Sequence, residues 1–136
     1  MARDFRLKDE QMLRTKRCTI ASATVIEAGD LVTLSSGLIV KAGAASTAVA
    51  YAPDGSADGE TVIDVSIGND FTLVGTGDAV FAASMKGTEV DIVGTTNLLI
   101  DVGASSTDVL KVGIGQDAGT VGSASNIEVK INKPLF

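Results

Sequence analysis

The chain has no histidine and no tryptophan. Lacking histidine, it lacks the commonest general base and metal ligand, and every Ser-His or Cys-His nucleophile arrangement. Lacking tryptophan, and with one tyrosine, it offers little of the aromatic platform that carbohydrate sites use. Cys18 is the single cysteine, so no disulfide can form within the chain and no secreted disulfide scaffold is indicated. No base accompanies it in the sequence, which favours a buried or incidental thiol over a nucleophile. Only two prolines are present against 15 glycines, so turns rest on Gly, Ser, Thr, Asn and Asp. No apolar run approaches the roughly 18–20 residues needed to span a membrane. The charged N-terminus has no apolar signal core. These absences point away from an enzyme, a small-molecule substrate, a resident metal or any other cofactor, and toward synthesis in a cytoplasm.

What is present is β-forming. Apolar residues make up 45% of the 136 residues, mostly Ala, Val, Ile and Leu. That is enough for one core in one domain. The clearest stretch is Lys86 to Val102. Val90 and Ile92 alternate with Glu89 and Asp91, and Leu98, Ile100 and Val102 flank Asp101, around the break Gly94-Thr95-Thr96-Asn97. Period-two alternation on both sides of a polar break predicts a half-buried antiparallel hairpin. Ile63, Val65 and Ile67 repeat the pattern, as do Ile127, Val129 and Ile131. Shorter strands are predicted over Leu31–Leu34, Leu38–Val40, Phe71–Val74, Ala79–Ala82 and Val109–Ile114, with a first strand region around Ile20, Val25 and Ile26. Turn signals recur every eight to twelve residues. The pattern predicts an all-β fold, a compact antiparallel β-sandwich or small β-barrel.

Charge divides the chain differently. Residues 1–17 hold six basic and three acidic residues, a net +3, while residues 18–136 carry a net −9. The asymmetry predicts a basic, extended N-terminal arm over residues 1–17 on an acidic domain over residues 18–136. Spacing permits a short, marginal helix over Asp9–Arg17. The acidic body would repel nucleic acid and anionic membranes. The basic arm itself suits nucleic acid, but with three acids interspersed a protein surface is at least as good a target. The expected contact is with a partner protein or a neighbouring subunit, through Arg3, Phe5, Arg6, Leu7, Met12, Leu13, Arg14 and Arg17. The basic groups would pair with carboxylates and the apolar ones would enter a groove.

Two motif-like passages carry less. Asp54, Asp58 and Glu60 lie in a glycine-rich loop, but their spacing is not that of an EF-hand and they read as solvated turn residues. Gly75-Thr-Gly77 and Gly113-Ile-Gly115 look like fragments of phosphate loops, but neither is followed by a predicted helix or a Gly-Lys-Ser/Thr run. Both read as turns.

Several passages together resemble a known family. They are Ala28-Gly29-Asp30-Leu31-Val32, Gly37-Leu38-Ile39-Val40, Ala48-Val49-Ala50-Tyr51-Ala52, the MKGTEVDIVG and LLIDVGASSTDVLKVG stretches, and the closing NIEVKIN. Over residues 25–132 this pattern of turns and short strands is similar to small tailed-bacteriophage head decoration, or capsid cement, proteins. The charged segment 1–17 departs from it. The resemblance implies a β domain without enzymatic activity that sits on the outer surface of the virion capsid. It implies the major capsid protein and further copies of itself, as a homotrimer, as partners. The alternatives are another structural virion component, such as a tail tube, spike or shell protein, or a carbohydrate- or calcium-binding β module.

Overall fold

The computed structural model describes residues 4–9, 11–57 and 59–136. The fold is all-β, as the alternation predicted, with no α-helix among the described residues. The strands are β1 (Phe5–Leu7), β2 (Thr15–Thr19), β3 (Leu31–Ser35), β4 (Leu38–Lys41), β5 (Ala50–Tyr51), β6 (Val62–Ser66), β7 (Leu73–Gly75), β8 (Glu89–Val93), β9 (Leu99–Asp101), β10 (Leu110–Val112) and β11 (Ile127–Ile131).

Six strands form one antiparallel sheet in the order β1-β7-β11-β10-β8-β9. This sheet rolls up. Beyond β7 the chain meets β9: Ile100 N–H donates to Thr76 O at 2.8 Å, and Asp78 N–H donates to Ile100 O at 2.9 Å. β1 and β9 therefore share one edge of the β7 ribbon, β1 beside residues 73–75 and β9 beside residues 76–78. Closing the ring in this way leaves little open edge for another chain to extend. Inside it lies the larger core, with Phe5, Leu73, Val90, Ile92, Ile100, Leu110, Val112, Val129 and Ile131 buried.

The remaining strands form sheets β4-β3-β5 and β2-β6. Ile20, just past β2, bridges Ile39 of β4, and the Tyr51 N–H of β5 donates to Ser66 Oγ of β6 at 2.8 Å. These five strands surround a second core built on Ile20, Ile26, Val32, Ile39, Ile63 and Val65. The β3–β5 ribbon divides the two cores. Leu31 pairs with Tyr51 and Val32 with Ala50 across the ribbon. Leu31 and Tyr51 enter the larger core, while Val32 and Ala50 enter the smaller. A strand with both faces covered carries adjacent apolar residues instead of alternating ones, and Leu31-Val32 and Ala50-Tyr51 are such doublets. Between β3 and β4, Ser36 and Gly37 hold φ of 51° and 80°, which is the left-handed pair that a tight two-residue hairpin requires.

The separate N-terminal arm is corrected by this structure. Phe5 and Leu7 belong to β1, paired with β7, and Phe5 is fully buried. Thr15–Thr19 form β2, in register with the whole of β6. No helix covers the described residues between Asp9 and Arg17. The physical reason is that Phe5 is one of the large apolar side chains that fill the ring, and its aromatic surface outweighs the charged residues around it. Two strand predictions also change. Residues 21–30 contain no strand, and Ala79–Ala82 gives one bridge, at Phe81, before a 3-10 turn at Ala83–Met85.

Candidate interaction surface

Of the eight residues expected to make outward contacts, three face inward or pack against the core. Phe5 is in the larger core, and Leu7 and Leu13 pack against it. Two bind their own domain. Arg6 Nη2 donates to Asn126 Oδ1 at 3.0 Å. Arg17 lies opposite Asp64 on β6, and its Nε and Nη2 donate to the two carboxylate oxygens at 3.1 and 3.4 Å. Met12 and Arg14 remain on the surface, Met12 being 93% exposed. Arg3 lies outside the described residues. The loop carrying Met12 is anchored from within. The Gln11 amide accepts the Thr72 N–H at 2.9 Å and donates to Thr72 O at 2.9 Å, so the side chain imitates one more pair of the β1–β7 ladder.

A buried polar junction sits where β1 and β9 meet end to end. Asp4, just before β1, accepts the Leu98 N–H at 2.9 Å. Lys41 Nζ lies 3.5 Å from Asp4 and 3.4 Å from Asp30, and donates to Thr96 O. Asp30 is 1% exposed and also accepts the Glu27 N–H at 3.0 Å. Burial pushes the Asp30 carboxyl up, against the Glu27 N–H and the Lys41 charge. One lysine thus ties the N-terminal strand, the turn before β3, β4 and the β8–β9 turn.

Asp91 was expected on the charged, outward face of β8. It is instead buried, because the chain after β9 folds back over it. Its carboxylate accepts the backbone N–H groups of Ser106, Thr107 and Asp108 at 2.8–3.0 Å. Burial works against the charged form, but the bonds from Asp108, Ser106 and Thr107 outweigh it and hold the carboxyl below the ordinary range. Its cross-strand neighbour Asp101 shifts the other way. Burial, the hydrogen bond with Asp78, and the charges of Asp78 and Asp91 all raise it. Among the described residues no three His, Cys, Asp or Glu side chains come together as metal ligands. Of the loop carboxylates, Asp54 and Glu60 are exposed, and Asp58 lies outside the described residues. Gly75 and Gly77 serve ring closure, and Gly113 pairs with Glu128. Cys18 is half-buried on the smaller core, and burial raises its thiol.

Two further features were not foreseen. Val80, Ile114 and Val121 are 53%, 79% and 69% exposed. They lie in the two connections, residues 76–88 and 113–126, that leave the rolled sheet where β7 and β10 end and β8 and β11 begin. On the outer face, Lys111 of β10 and Lys130 of β11 stand directly opposite each other, both exposed. Alternation shows that each lysine points outward, since Leu110, Val112, Val129 and Ile131 point in. Only the register, which depends on folding, brings them together. Among the described residues no helix is long and apolar enough to cross a membrane. Comparison of the chain with models of known protein families, with curated proteins and with solved structures finds no match.

Proposed function

We propose that the chain is a non-enzymatic decoration protein of a tailed-phage head, which binds the outside of the capsid as a homotrimer and braces neighbouring major capsid subunits. The reading rests on the sequence resemblance and on one structural observation. Four large apolar side chains, Met12, Val80, Ile114 and Val121, are more than half exposed, and three of them share one end of the rolled sheet. Exposed apolar groups gathered at one end of a β body suit a docking surface. The passages that carry the resemblance supply β3, β4, β5, β8, β9, β10 and β11, the framework of both cores. A brace needs such a framework and little chemistry. Binding the assembled lattice and not the free subunit stabilises the shell by mass action, and symmetry multiplies weak contacts.

The direct test is to mix the purified chain with expanded, undecorated tailed-phage capsids, and to count bound copies per lattice site. Stoichiometric binding at three-fold or quasi-three-fold positions is expected, with raised thermal stability of the shell. Absence of bound copies at micromolar chain would refute the proposal. Within it, Met12→Ser with Arg14→Ser should weaken capsid binding without lowering the melting temperature of the free chain. Deleting residues 2–17 would not be a clean test, because it removes β1 and most of β2.

A further inference from the structure

We propose that the groove on the outer face of β10 and β11 docks an extended acidic segment of a partner protein, with a carboxylate seated between Lys111 and Lys130 and an aliphatic side chain against Ile114. Lys111 and Lys130 are cross-strand partners, and like charges placed directly opposite destabilise a sheet. Glu89 is the neighbour of Lys111 on β8, and Glu128 precedes Lys130 by two residues on the same face. Glu89 offsets part of the repulsion from across the sheet, but neither acid closes an ion pair on the lysines. Glu128 is bound to Lys8 at 2.6 Å, and no ion pair joins Glu89, Lys111 or Lys130 among the described residues. Two adjacent, exposed ammonium groups therefore stand without an ion pair among the described residues, on a chain whose net charge is −6.

The groove beside them has a volume of about 370 Å³ and runs past Thr72, Gly113, Ile114 and Gly115. Ile114 is 79% exposed. Apart from its own chain neighbours, nothing lies within 4 Å of the place a Cβ would take on Gly115, so the backbone there is open to an approaching chain. A carboxylate between two ammonium groups with an apolar contact alongside describes a peptide of mixed acidic and aliphatic character. A nucleic acid fits poorly, because the rest of the acidic surface would repel a long polyanion. The inference is independent of the capsid reading, since it needs only the register of β10 and β11.

The test uses the full chain and a short dye-labelled peptide that alternates glutamate with valine. Anisotropy should report binding that weakens as salt rises toward physiological strength. Amide shifts should map to Lys111–Gly115 and Glu128–Lys130. Lys111→Gln with Lys130→Gln, both at exposed positions, should weaken binding about fivefold or more, from two exposed charge contacts, with an otherwise unchanged amide spectrum. Four results would overturn the proposal. They are binding indifferent to both substitutions, equal binding of a peptide with lysine in place of every glutamate, free glutarate binding as tightly as the peptide, and self-association of the chain through this face instead of peptide binding.

Discussion

Replacing Lys41 by methionine is the sharpest test of how the N-terminal strand is held. The substitution keeps most of the length and packing of the stem and removes the charge together with the hydrogen bond to Thr96 O. It leaves Asp30 and Asp4, at 2% and 9% side-chain exposure, facing each other without the cation between them. Removing one partner of a buried ion pair costs about 3–5 kcal/mol. The Lys41 side chain keeps 22% of its exposure, so water softens the loss, and a value of about 3 kcal/mol is expected. For a chain of this size that lowers the melting temperature by about 10 °C. The pH dependence provides a second readout. Burial raises Asp30 and Lys41 opposes the rise. A carboxyl whose folded pKa lies above its unfolded value, about 3.9, stabilises fully below that value and loses the contribution as pH rises through the folded pKa. Taking Lys41 away moves the folded pKa further up. The deficit of the variant should therefore be full near neutral pH and shrink toward about pH 4. Urea unfolding across that range measures both. Adding Asp30→Asn to Lys41→Met should recover about half of the loss or more, because the two sites share one interaction. A Lys41→Met chain within about 0.5 kcal/mol of the parent, or a deficit that does not change with pH, would refute the reasoning.

Other outcomes follow from the same geometry. Phe5→Ala should cost about 3–5 kcal/mol in urea unfolding, as expected for a buried aromatic; a loss below about 1 kcal/mol would return residues 1–17 to the status of an arm. Gly75→Ala would place a Cβ 2.5 Å from the Phe5 ring, costing about 1–3 kcal/mol by overpacking, and Phe5→Leu in that background should restore part of it. Asp91→Asn should destabilise by about 2–3 kcal/mol at neutral pH and speed amide exchange at Ser106–Asp108. Because the folded pKa of Asp91 is lowered, its contribution is present above the unfolded value and is lost as pH falls through the folded one, so the variant and parent should converge in acid. Asp101→Asn should act oppositely. Its carboxyl is raised by burial and by Asp78 and Asp91, so the substitution should raise the melting temperature near neutral pH and leave it unchanged well below the unfolded pKa.

The readable parts of the sequence were those where local alternation decides the answer. β8 with β9, β6 and β11 stand where period two placed them, and Val90, Ile92, Ile100, Ile63, Val65, Val129 and Ile131 are buried as their faces required. The misread parts depend on distant chain. β1 is three residues long, too short to show alternation, and Phe5-Arg6-Leu7 sits among charges that suggest a solvated tail. Asp91 looks outward from β8 alone, and becomes buried only when Ser106–Asp108 arrive with three N–H donors. Lys41 carries no signal of its role in the sequence, because two of its partners, Asp4 and Thr96, are 37 and 55 residues away. The division into two cores left a trace in the doublets Leu31-Val32 and Ala50-Tyr51, but a doublet says only that both faces are covered, not by what.

The shared wall also constrains how any docking surface on this chain can be probed. β3 and β5 contribute to both cores, so neither core has a complete set of walls without the other, and the two should melt in a single transition. β1 closes the larger ring beside β7, and β2 completes the smaller one beside β6. Cutting away the N-terminal residues opens both at once. A truncated chain that failed to bind any partner would therefore report lost packing and not a lost contact. Met12, Arg14, Lys111, Lys130, Ile114 and Val121 differ in kind. Each is exposed, and none is among the buried core residues. Substitutions there change what the surface offers while the fold beneath stays intact, and binding losses at those positions can be assigned to the interface itself.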